Sequence, residues 1–312
     1  MDRPREDAIV RSLENLYSLK IINEEGKLTE DIGFRVSEFP VEPSLAVMLI
    51  NSSKPDFSCS REILILVSML SVQNVFYSNR ESHHVIKAKK KIGAKEGDMI
   101  TLINIYLRYH ASHGKKEKIR FCGEFGLNEA ALISAKKIHD QLSSVMKRLK
   151  LKIESSEDDL EGILRCIASA LFFNIAQKQP DGTYLTVRGK EIVNLHPNSI
   201  MNVLYPEWVL FYEQIQTSKL FLRECSEVDY RWLVELARHF YEDTKAKMLK
   251  AKYQKEVVQK SRQEEDEKMG IFKKKRKLQT TDLALFNSQS QNPVKKAPNL
   301  RTMLSFDENE ML

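Results

Sequence analysis

The spacing of apolar residues changes once along this chain, and that change limits the folds available to it. Before residue 154, apolar side chains recur every three or four positions, as in the stripe that runs from Leu132 to Leu149. The acidic segment 154–159 contains no apolar residue. Beyond it, short apolar runs alternate with turn residues such as Pro180-Asp181-Gly182, which is typical of short strands. A mainly helical first part followed by a small β-barrel is therefore expected.

Residues 1–43 combine short helical stretches with a very short hairpin. Ile9, Leu13 and Tyr17 share one face of the first predicted helix, and Gly26 lies in a polar turn between two apolar pairs. Helices and a small hairpin in so few residues are typical of a winged-helix unit, a module found in nucleic-acid proteins and also in purely structural roles. We predict a winged helix over residues 1–43.

Residues 44–153 have helical patterns throughout. One helix begins near Leu45, a second, almost entirely apolar, spans 63–72, and a third spans 98–109. Asn128 is a suitable N-cap for a fourth helix, because its side chain can accept a hydrogen bond from a free backbone N–H. These helices predict a bundle.

Residues 154–242 are expected to form the barrel, and residues 243–312 a basic, partly disordered tail. The barrel is predicted from a helix over 162–172, a closing helix over 230–241, and short strands at 174–177, 183–187, 192–195, 208–212 and 220–224. The tail is rich in charge and poor in aromatic residues, which is typical of disorder. The predicted fold class is α+β, mainly helical.

Charge is distributed unevenly along the chain. Residues 1–242 carry 33 basic and 33 acidic side chains, whereas residues 243–312 carry 16 and 10, so the body has no bulk positive field. The four cysteines are 44 to 63 residues apart and form no C-x-x-C pair, which favours free thiols in a reducing compartment. No apolar run is as long as a membrane span, and the first residues are charged, unlike a signal peptide. A soluble intracellular protein is predicted, with no membrane partner.

Eight segments follow one another in the order of a known family. They are 2–17, 26–29, 38–43, 68–76, 96–106, His196-Pro197-Asn198-Ser199, 207–213 and Gln216-Thr217-Ser218-Lys219. In these segments the chain resembles the C-terminal auxiliary region of DEAH-box ATP-dependent RNA helicases of the spliceosomal type. The resemblance implies a winged helix, a helical ratchet bundle and an oligonucleotide-binding (OB) fold that complete an RNA channel beside two RecA-like motor domains. Met99, Phe121 and Asn198 depart from the family pattern.

The motor motifs do not occur in this sequence. A P-loop needs G-x-x-x-x-G-K-[ST] to surround phosphates, but the Gly-Lys pairs Gly26-Lys27, Gly114-Lys115 and Gly189-Lys190 lack that context, and there is no Asp-Glu-Ala-His motif. The resemblance implies that ATP and magnesium bind the missing motor domains, and that this chain alone binds no cofactor and hydrolyses nothing. The clustered histidines, His83-His84 and His110 with His113, are interpreted as surface or capping residues, so no metal site is predicted.

Candidate RNA-binding residues fall into two groups. Thr217 and Lys219 lie between two predicted strands, where a hydroxyl and an ammonium group can position an RNA backbone. The second group is a basic strip, for which a solvated helix face is the alternative: Lys87, Lys89, Lys90 and Lys91. His196 and Ser199 are interpreted as structural residues of an OB loop, or as residues close to RNA. Phe172, Phe173, Tyr184, Trp208 and Tyr212 can stack on bases, but burial in the barrel core is the favoured interpretation.

The tail contains five consecutive basic residues, Lys273, Lys274, Lys275, Arg276 and Lys277. Such a run is typical of a nuclear-localisation signal, and we predict nuclear import.

The resemblance implies action in pre-mRNA splicing or other nuclear RNA remodelling. The implied partners are single-stranded RNA, the parent helicase's motor domains, glycine-patch activators and spliceosomal proteins, and the chain is expected to be a truncated product or partial gene model. The alternative is a stand-alone scaffold with little RNA binding.

Overall fold

The computed structural model describes residues 5–73, 75–77, 91–157, 159–238 and 240–241, of which residues 5–238 belong to one compact unit. Its described residues contain ten helices: α1 (Glu6–Ser18), α2 (Ile32–Ser37), α3 (Pro43–Ser52), α4 (Ser60–Leu70), α5 (Asp98–Ala111), α6 (Lys115–Phe125), α7 (Glu129–Arg148), α8 (Leu160–Leu171), α9 (Met201–Leu204) and α10 (Tyr230–Leu236). They also contain five strands: β1 (Ile175–Lys178), β2 (Tyr184–Thr186), β3 (Ile192–Leu195), β4 (Trp208–Gln216) and β5 (Leu220–Glu227).

The predicted hairpin of the winged helix is reduced to one bridge, between Ile22 and Leu28. The Asn23 side-chain oxygen accepts hydrogen bonds from two backbone N–H groups of the turn, at 3.0 and 2.9 Å, so the turn is held without a longer ladder. The apolar face of α1 that the sequence indicates is present but exposed: Ile9, Leu13 and Tyr17 are 44%, 49% and 51% accessible.

The helical bundle is built around α4, whose residues from Ile63 to Met69 are all buried. Helix α4 packs against α5 and α7, and α3 packs against α8. Asn128 caps α7 as predicted, because its side-chain oxygen accepts a hydrogen bond from the Ala130 N–H. Helix α6 was not predicted: its first turn is almost wholly charged and it contains Gly123, so its apolar pattern is short.

The five strands close into a barrel in the order β1-β2-β3-β5-β4. Every pair is antiparallel except β3 with β5. Strands β4 and β5 reach Gln216 and Glu227, beyond the predicted bounds, because the ladder continues through polar residues that give no apolar signal. Helix α10 ends at Leu236, before the predicted bound, because Ala237 leaves the helical conformation. The mainly helical α+β fold with a small barrel is confirmed.

Several predicted features lie outside the described residues, among them the tail over 243–312 and most of the basic strip. Within the part of the chain that the structure describes, no helix is long and apolar enough to cross a membrane.

Candidate nucleic-acid interface

Helix α5 joins the barrel through the carboxylate of its first residue, Asp98. One oxygen, Oδ2, accepts hydrogen bonds from Ser199 Oγ at 2.6 Å and from the Cys225 N–H at 2.9 Å. The other, Oδ1, accepts from the Ile200 N–H at 2.8 Å. Hydrogen bonds to a charged acceptor are stronger than those between neutral groups. One side chain therefore fixes both a barrel loop and strand β5 to the bundle.

The backbone beside Asp98 lies against the same strand. Gly97 bridges to Ser226, and the Glu227 N–H donates to Glu96 O at 3.2 Å. Gly97 has a φ of +124°, and a Cβ atom there would lie 2.5 Å from Cys225 O. Only glycine fits this position. We call this contact of residues 96–98 with residues 199–200 and 225–227 the seam.

The predicted OB loop at His196 and Ser199 ends at the seam. His196 Nδ1 accepts a hydrogen bond from the Asn198 N–H at 3.2 Å, and its ring lies edge-on to Phe221, with 5.8 Å between centroids. Ser199 is buried and donates to Asp98. Both side chains are thus tied within the protein, and any contact with RNA stays a prediction.

A cleft of about 790 Å³ opens beside the seam. Its walls come from the start of α3, the end of α4, the following segment through Tyr77, the His196–Ile200 loop, and the facing strands β4 and β5. Cavities of this size are typical of small-ligand sites. The polar side chains that β4 and β5 contribute are Tyr212, Glu213, Arg223 and Glu224.

Carboxylates dominate the charge of the cleft. Arg223 donates from Nη1 to Glu213 Oε2 at 3.2 Å, and its Nη2 lies 3.5 Å from Glu224 Oε1. The Tyr212 hydroxyl donates to Glu42 at 3.1 Å, and burial together with that carboxylate raises the Tyr212 pKa. Glu42 and Asp98 also line the cleft. A single guanidinium therefore faces four carboxylates.

Glu224 is the most unusual of these carboxylates. Its pKa is raised from 4.5 to about 7, chiefly by burial and also by the charges of Asp98 and Glu213, while Arg223 opposes the rise. Its Oε2 atom is buried and has no hydrogen-bond partner among the described residues. Its φ of +48° is also rare for a residue other than glycine. The ionised form of Glu224 is thus unfavourable, and its backbone conformation is strained.

Thr217 and Lys219 meet at the exposed end of the β4–β5 hairpin. The ladder closes at the Gln216–Leu220 pair, and the Thr217 N–H donates to Lys219 O at 2.9 Å. Both side chains are exposed, and neither is among the residues that line the cleft. The structure therefore brings these two predicted residues together on the barrel but away from the cleft.

The basic residues predicted elsewhere are mostly outside the described ranges. Lys87, Lys89 and Lys90 lie outside them, as do Lys273, Lys274, Lys275, Arg276 and Lys277. Lys91 is described: it is exposed, and its Nζ lies 3.9 Å from Glu124 Oε1. Its predicted RNA contact stays a prediction.

The aromatic residues of the barrel are mostly structural. Phe172, Phe173 and Tyr184 are buried, and Tyr184 belongs to the apolar core of the barrel, which confirms the favoured interpretation for that residue. The Tyr184 hydroxyl donates to Pro206 O at 2.7 Å. Trp208 is half-buried and stacks on Tyr230, with 5.1 Å between ring centroids.

Sequence reasoning missed the residues that give the cleft its chemistry. Asp98 stood within the family-like segment 96–106, which could have indicated it. Tyr77, Arg223 and Glu224 gave no signal, because their importance comes from contacts between segments far apart in sequence.

Three family models match the chain in succession. They are the helicase associated domain (HA2), winged-helix, over residues 12–41; the helicase associated domain (HA2), ratchet-like, over 42–102; and the oligonucleotide/oligosaccharide-binding (OB)-fold over 163–241. Their order agrees with the fold described above. The chain is thus a C-terminal helicase-associated region.

Two RNA-helicase relatives are similar to this chain over most of its length. The chain is 37% identical over 255 residues to "Probable ATP-dependent RNA helicase DHX35" of Homo sapiens, which covers 81% of this chain and 35% of the relative. It is 36% identical over 245 residues to the protein of that name from Pongo abelii, covering 78% and 33%. The chain therefore spans about a third of the length of these relatives, and the region it carries is related to that of RNA helicases.

Proposed function

We propose that this chain is the RNA-binding and partner-binding auxiliary part of an ATP-dependent DEAH-box RNA helicase that acts in pre-mRNA splicing or other nuclear RNA remodelling. The observation that carries the RNA-binding part is the end of the β4–β5 hairpin, where Thr217 and Lys219 are both exposed on an OB barrel. The match to proteins named as probable RNA helicases supports RNA as the ligand.

The hairpin end suits contacts with the RNA backbone. A lysine ammonium acts as a point charge on a phosphate, and a threonine hydroxyl can donate to a phosphate oxygen. No carboxylate of the described residues forms an ion pair with Lys219. Such contacts hold the strand in register without reading its sequence. Binding at this position should therefore be general for single-stranded RNA.

The chain is further proposed to bind protein partners and to be located in the nucleus. The exposed apolar face of α1, formed by Ile9, Leu13 and Tyr17, offers a surface for protein partners. The proposed partners are the motor domains of the parent helicase, which would bind ATP and magnesium, together with glycine-patch activators and spliceosomal proteins. The basic run 273–277 would direct nuclear import.

Substitution at Lys219 tests the RNA-binding proposal. Fluorescence anisotropy with a labelled 12-nucleotide uridine oligomer, repeated over a range of salt concentrations, should show Lys219→Gln weakening binding several-fold. The slope of log affinity against log salt should fall by about one. Lys137→Gln, an exposed lysine on α7, is the matched control and should bind as the parent chain does.

Two results would contradict the proposal. Equal affinity and slope for Lys219→Gln would remove the hairpin end from the RNA interface. A chain that binds no RNA even at low salt would favour the stand-alone scaffold instead.

A further inference from the structure

The connector between α7 and α8 contains an exposed serine that precedes an acidic run. Residues 151–156 form neither helix nor strand, and Ser155 is exposed among them. Of the five residues over 157–161, four are acidic and one is leucine. An accessible hydroxyl followed by carboxylates is typical of substrates for serine kinases that select by charge, because such kinases present basic side chains to the residues beyond the serine.

The structure distinguishes Ser155 from other serines with acidic neighbours. Ser156 precedes the same acidic run, but its Oγ atom is buried and has no hydrogen-bond partner among the described residues. Ser226 is followed by Glu227 and, three positions on, by Asp229, yet it is only 1% accessible. A kinase must reach the hydroxyl oxygen itself. Of these three serines, Ser155 is therefore the one that can react while the chain stays folded.

Glu62, in the first turn of α4, holds the connector at this serine. Its Oε1 atom accepts a hydrogen bond from Ser155 Oγ at 2.6 Å, and its Oε2 atom accepts one from the Ser156 N–H at 3.3 Å. Closer to α7, Ser60 Oγ accepts a hydrogen bond from the Glu154 N–H at 2.9 Å. The connector is thus tied to the start of α4 at two places, and the Ser155 hydroxyl belongs to one of them.

We propose that Ser155 is a phosphorylation site for an acidic-directed serine kinase, and that its phosphorylation releases residues 155–156 from Glu62. In the reaction, Ser155 Oγ forms a bond to the γ-phosphorus of ATP while the bond from that phosphorus to the β–γ bridging oxygen breaks. ADP leaves with the electron pair of the broken bond, and the catalytic aspartate of the kinase accepts the hydroxyl proton. This modification does not depend on the RNA binding proposed above.

Phosphorylation would change both the hydrogen bonding and the charge at Glu62. The modified Ser155 Oγ has no proton to donate to Glu62 Oε1. The phosphate also adds about 1.5 to 2 negative charges near pH 7. The adjoining segments 60–62 and 152–157 carry two basic and three acidic residues, so they do not neutralise that charge. Repulsion between the phosphate and the Glu62 carboxylate should therefore separate them.

Phosphorylation of the full chain in vitro tests the site. The chain is incubated with casein kinase 2 and magnesium ATP, and tandem mass spectrometry locates the phosphate. We expect phosphate on Ser155 and none on Ser156 or Ser226. Ser155→Ala should lose this phosphate, and Ser156→Ala, the matched control, should keep it. Ser305, which precedes acidic residues near the end of the chain, reports whether the kinase is active.

The charge of the acidic run should determine the rate of phosphorylation. A chain with Glu157→Gln and Asp158→Asn should be phosphorylated at Ser155 several-fold more slowly, because two charges that attract the basic groove of the kinase are removed. Glu24→Gln with Glu25→Gln, a pair of exposed glutamates in the turn of the winged helix, is the matched control. It should be phosphorylated at the same rate as the parent chain.

Amide hydrogen exchange measures the release from Glu62. In the phosphorylated chain, the Ser156 amide should exchange several-fold faster, because its N–H loses the Glu62 acceptor. The Glu154 amide, which is bonded to Ser60, should keep its protection. Ser155→Ala removes the hydroxyl without adding charge, so it should increase exchange at Ser156 less than the phosphate does.

Three outcomes would contradict the proposal. No phosphate on Ser155, in a reaction where Ser305 or added casein is phosphorylated, would overturn the site. Comparable phosphate on Ser155 and on the buried Ser226 would show that the kinase acts on unfolded chains, and it would overturn the selection of Ser155 by its exposure. Phosphate on Ser155 with unchanged exchange at Ser156 would overturn the release from Glu62.

Discussion

Helix α4 and the seam lie within one compact unit, but different forces hold them in place. From Ile63 to Met69, α4 is surrounded by buried side chains, and its packing against α5 and α7 is stabilised by apolar burial. At the seam, three hydrogen-bond donors converge on Asp98, and the close backbone approach requires glycine at position 97. Burial is not directional, whereas these contacts depend on the position of individual atoms.

The helical core and the seam differ in how much substitution they tolerate. The helical core can exchange one apolar side chain for another of similar volume at small cost. The seam does not tolerate such exchanges, and it borders the cleft that contains Glu224. The parts of this molecule that tolerate least change are therefore those that position its candidate ligand site.

Substituting Gly97 should break the seam and have the largest effect. In Gly97→Ala the new Cβ would lie 2.5 Å from Cys225 O and 2.6 Å from Ser226 Cα, both backbone atoms that cannot turn aside. With the positive φ, we expect the free energy of unfolding in urea to fall by about 4 kcal/mol. Gly182→Ala is the matched control: its φ is also positive, but nothing lies within 4 Å of the new Cβ, so it should lose only about 1 kcal/mol. Equal losses would show that strain alone, without a clash, acts at Gly97.

Asp98→Asn tests whether one carboxylate holds the barrel to α5. An amide has one acceptor oxygen, so in either orientation its NH₂ group faces at least one of the three present donors. We expect a loss of about 3 kcal/mol in the free energy of unfolding in urea, with faster amide exchange at Ile200 and Cys225. Asp31→Asn removes only an exposed pair with Arg35 at 3.5 Å and should cost well under about 1 kcal/mol. Unchanged exchange at both amides would contradict the role assigned to Asp98.

The pH dependence of stability should reveal the buried carboxylate of Glu224. Because the pKa rises from 4.5 to about 7 on folding, the folded state binds this proton more tightly than the unfolded state. The contribution to stability is complete below about pH 4.5 and is lost as the pH rises through 7. Between pH 5 and pH 8, the free energy of unfolding in urea should therefore fall by about 2 kcal/mol less in Glu224→Gln than in the parent chain.

His110 also makes stability depend on pH, and comparing Glu224→Gln with the parent chain removes its effect. Burial lowers the pKa of His110 to about 4, so its contribution is lost as the pH falls below 6.5, which is the opposite sign. His110 is the same in both chains and cancels. Identical profiles of stability against pH for the two chains would show that folding does not change the pKa of Glu224.

How far the sequence predicts this molecule depends on the range of the interactions. The helices and strands follow from local spacing, and the barrel could be expected from Pro180-Asp181-Gly182 and the short apolar runs around it. Thr217 and Lys219 could be located because both lie in the stretch between two predicted strands, 208–212 and 220–224. Local patterns and a collinear family resemblance were sufficient for these features.

The cleft could not be predicted, because its residues meet only after folding. Asp98 bonds to Ser199 and Cys225, more than 100 residues away, and no periodicity connects them. Glu224 is the last residue of the predicted strand 220–224, and no sequence pattern distinguishes it. Helix α5 packs against β5 and brings the charge of Asp98 to Glu224, which is a tertiary contact. The contacts that the sequence did not show were thus the directional ones between segments far apart in sequence.

Asn128→Ala removes one directional contact from the helical bundle and should have the smallest effect. The Asn128 side chain accepts one hydrogen bond from the Ala130 N–H at 3.1 Å at an exposed helix end, so its loss should lower the free energy of unfolding by about 1 kcal/mol. Asn128→Ser, which keeps an acceptor, is the matched control and should retain most of that stability. If the cap acts only on α7, amide exchange should increase in the first turn of that helix and stay unchanged at the seam. An increase in amide exchange at Ile200 as large as that in Asp98→Asn would contradict this expectation. It would mean that the loss of the cap is transmitted through the apolar core to the seam.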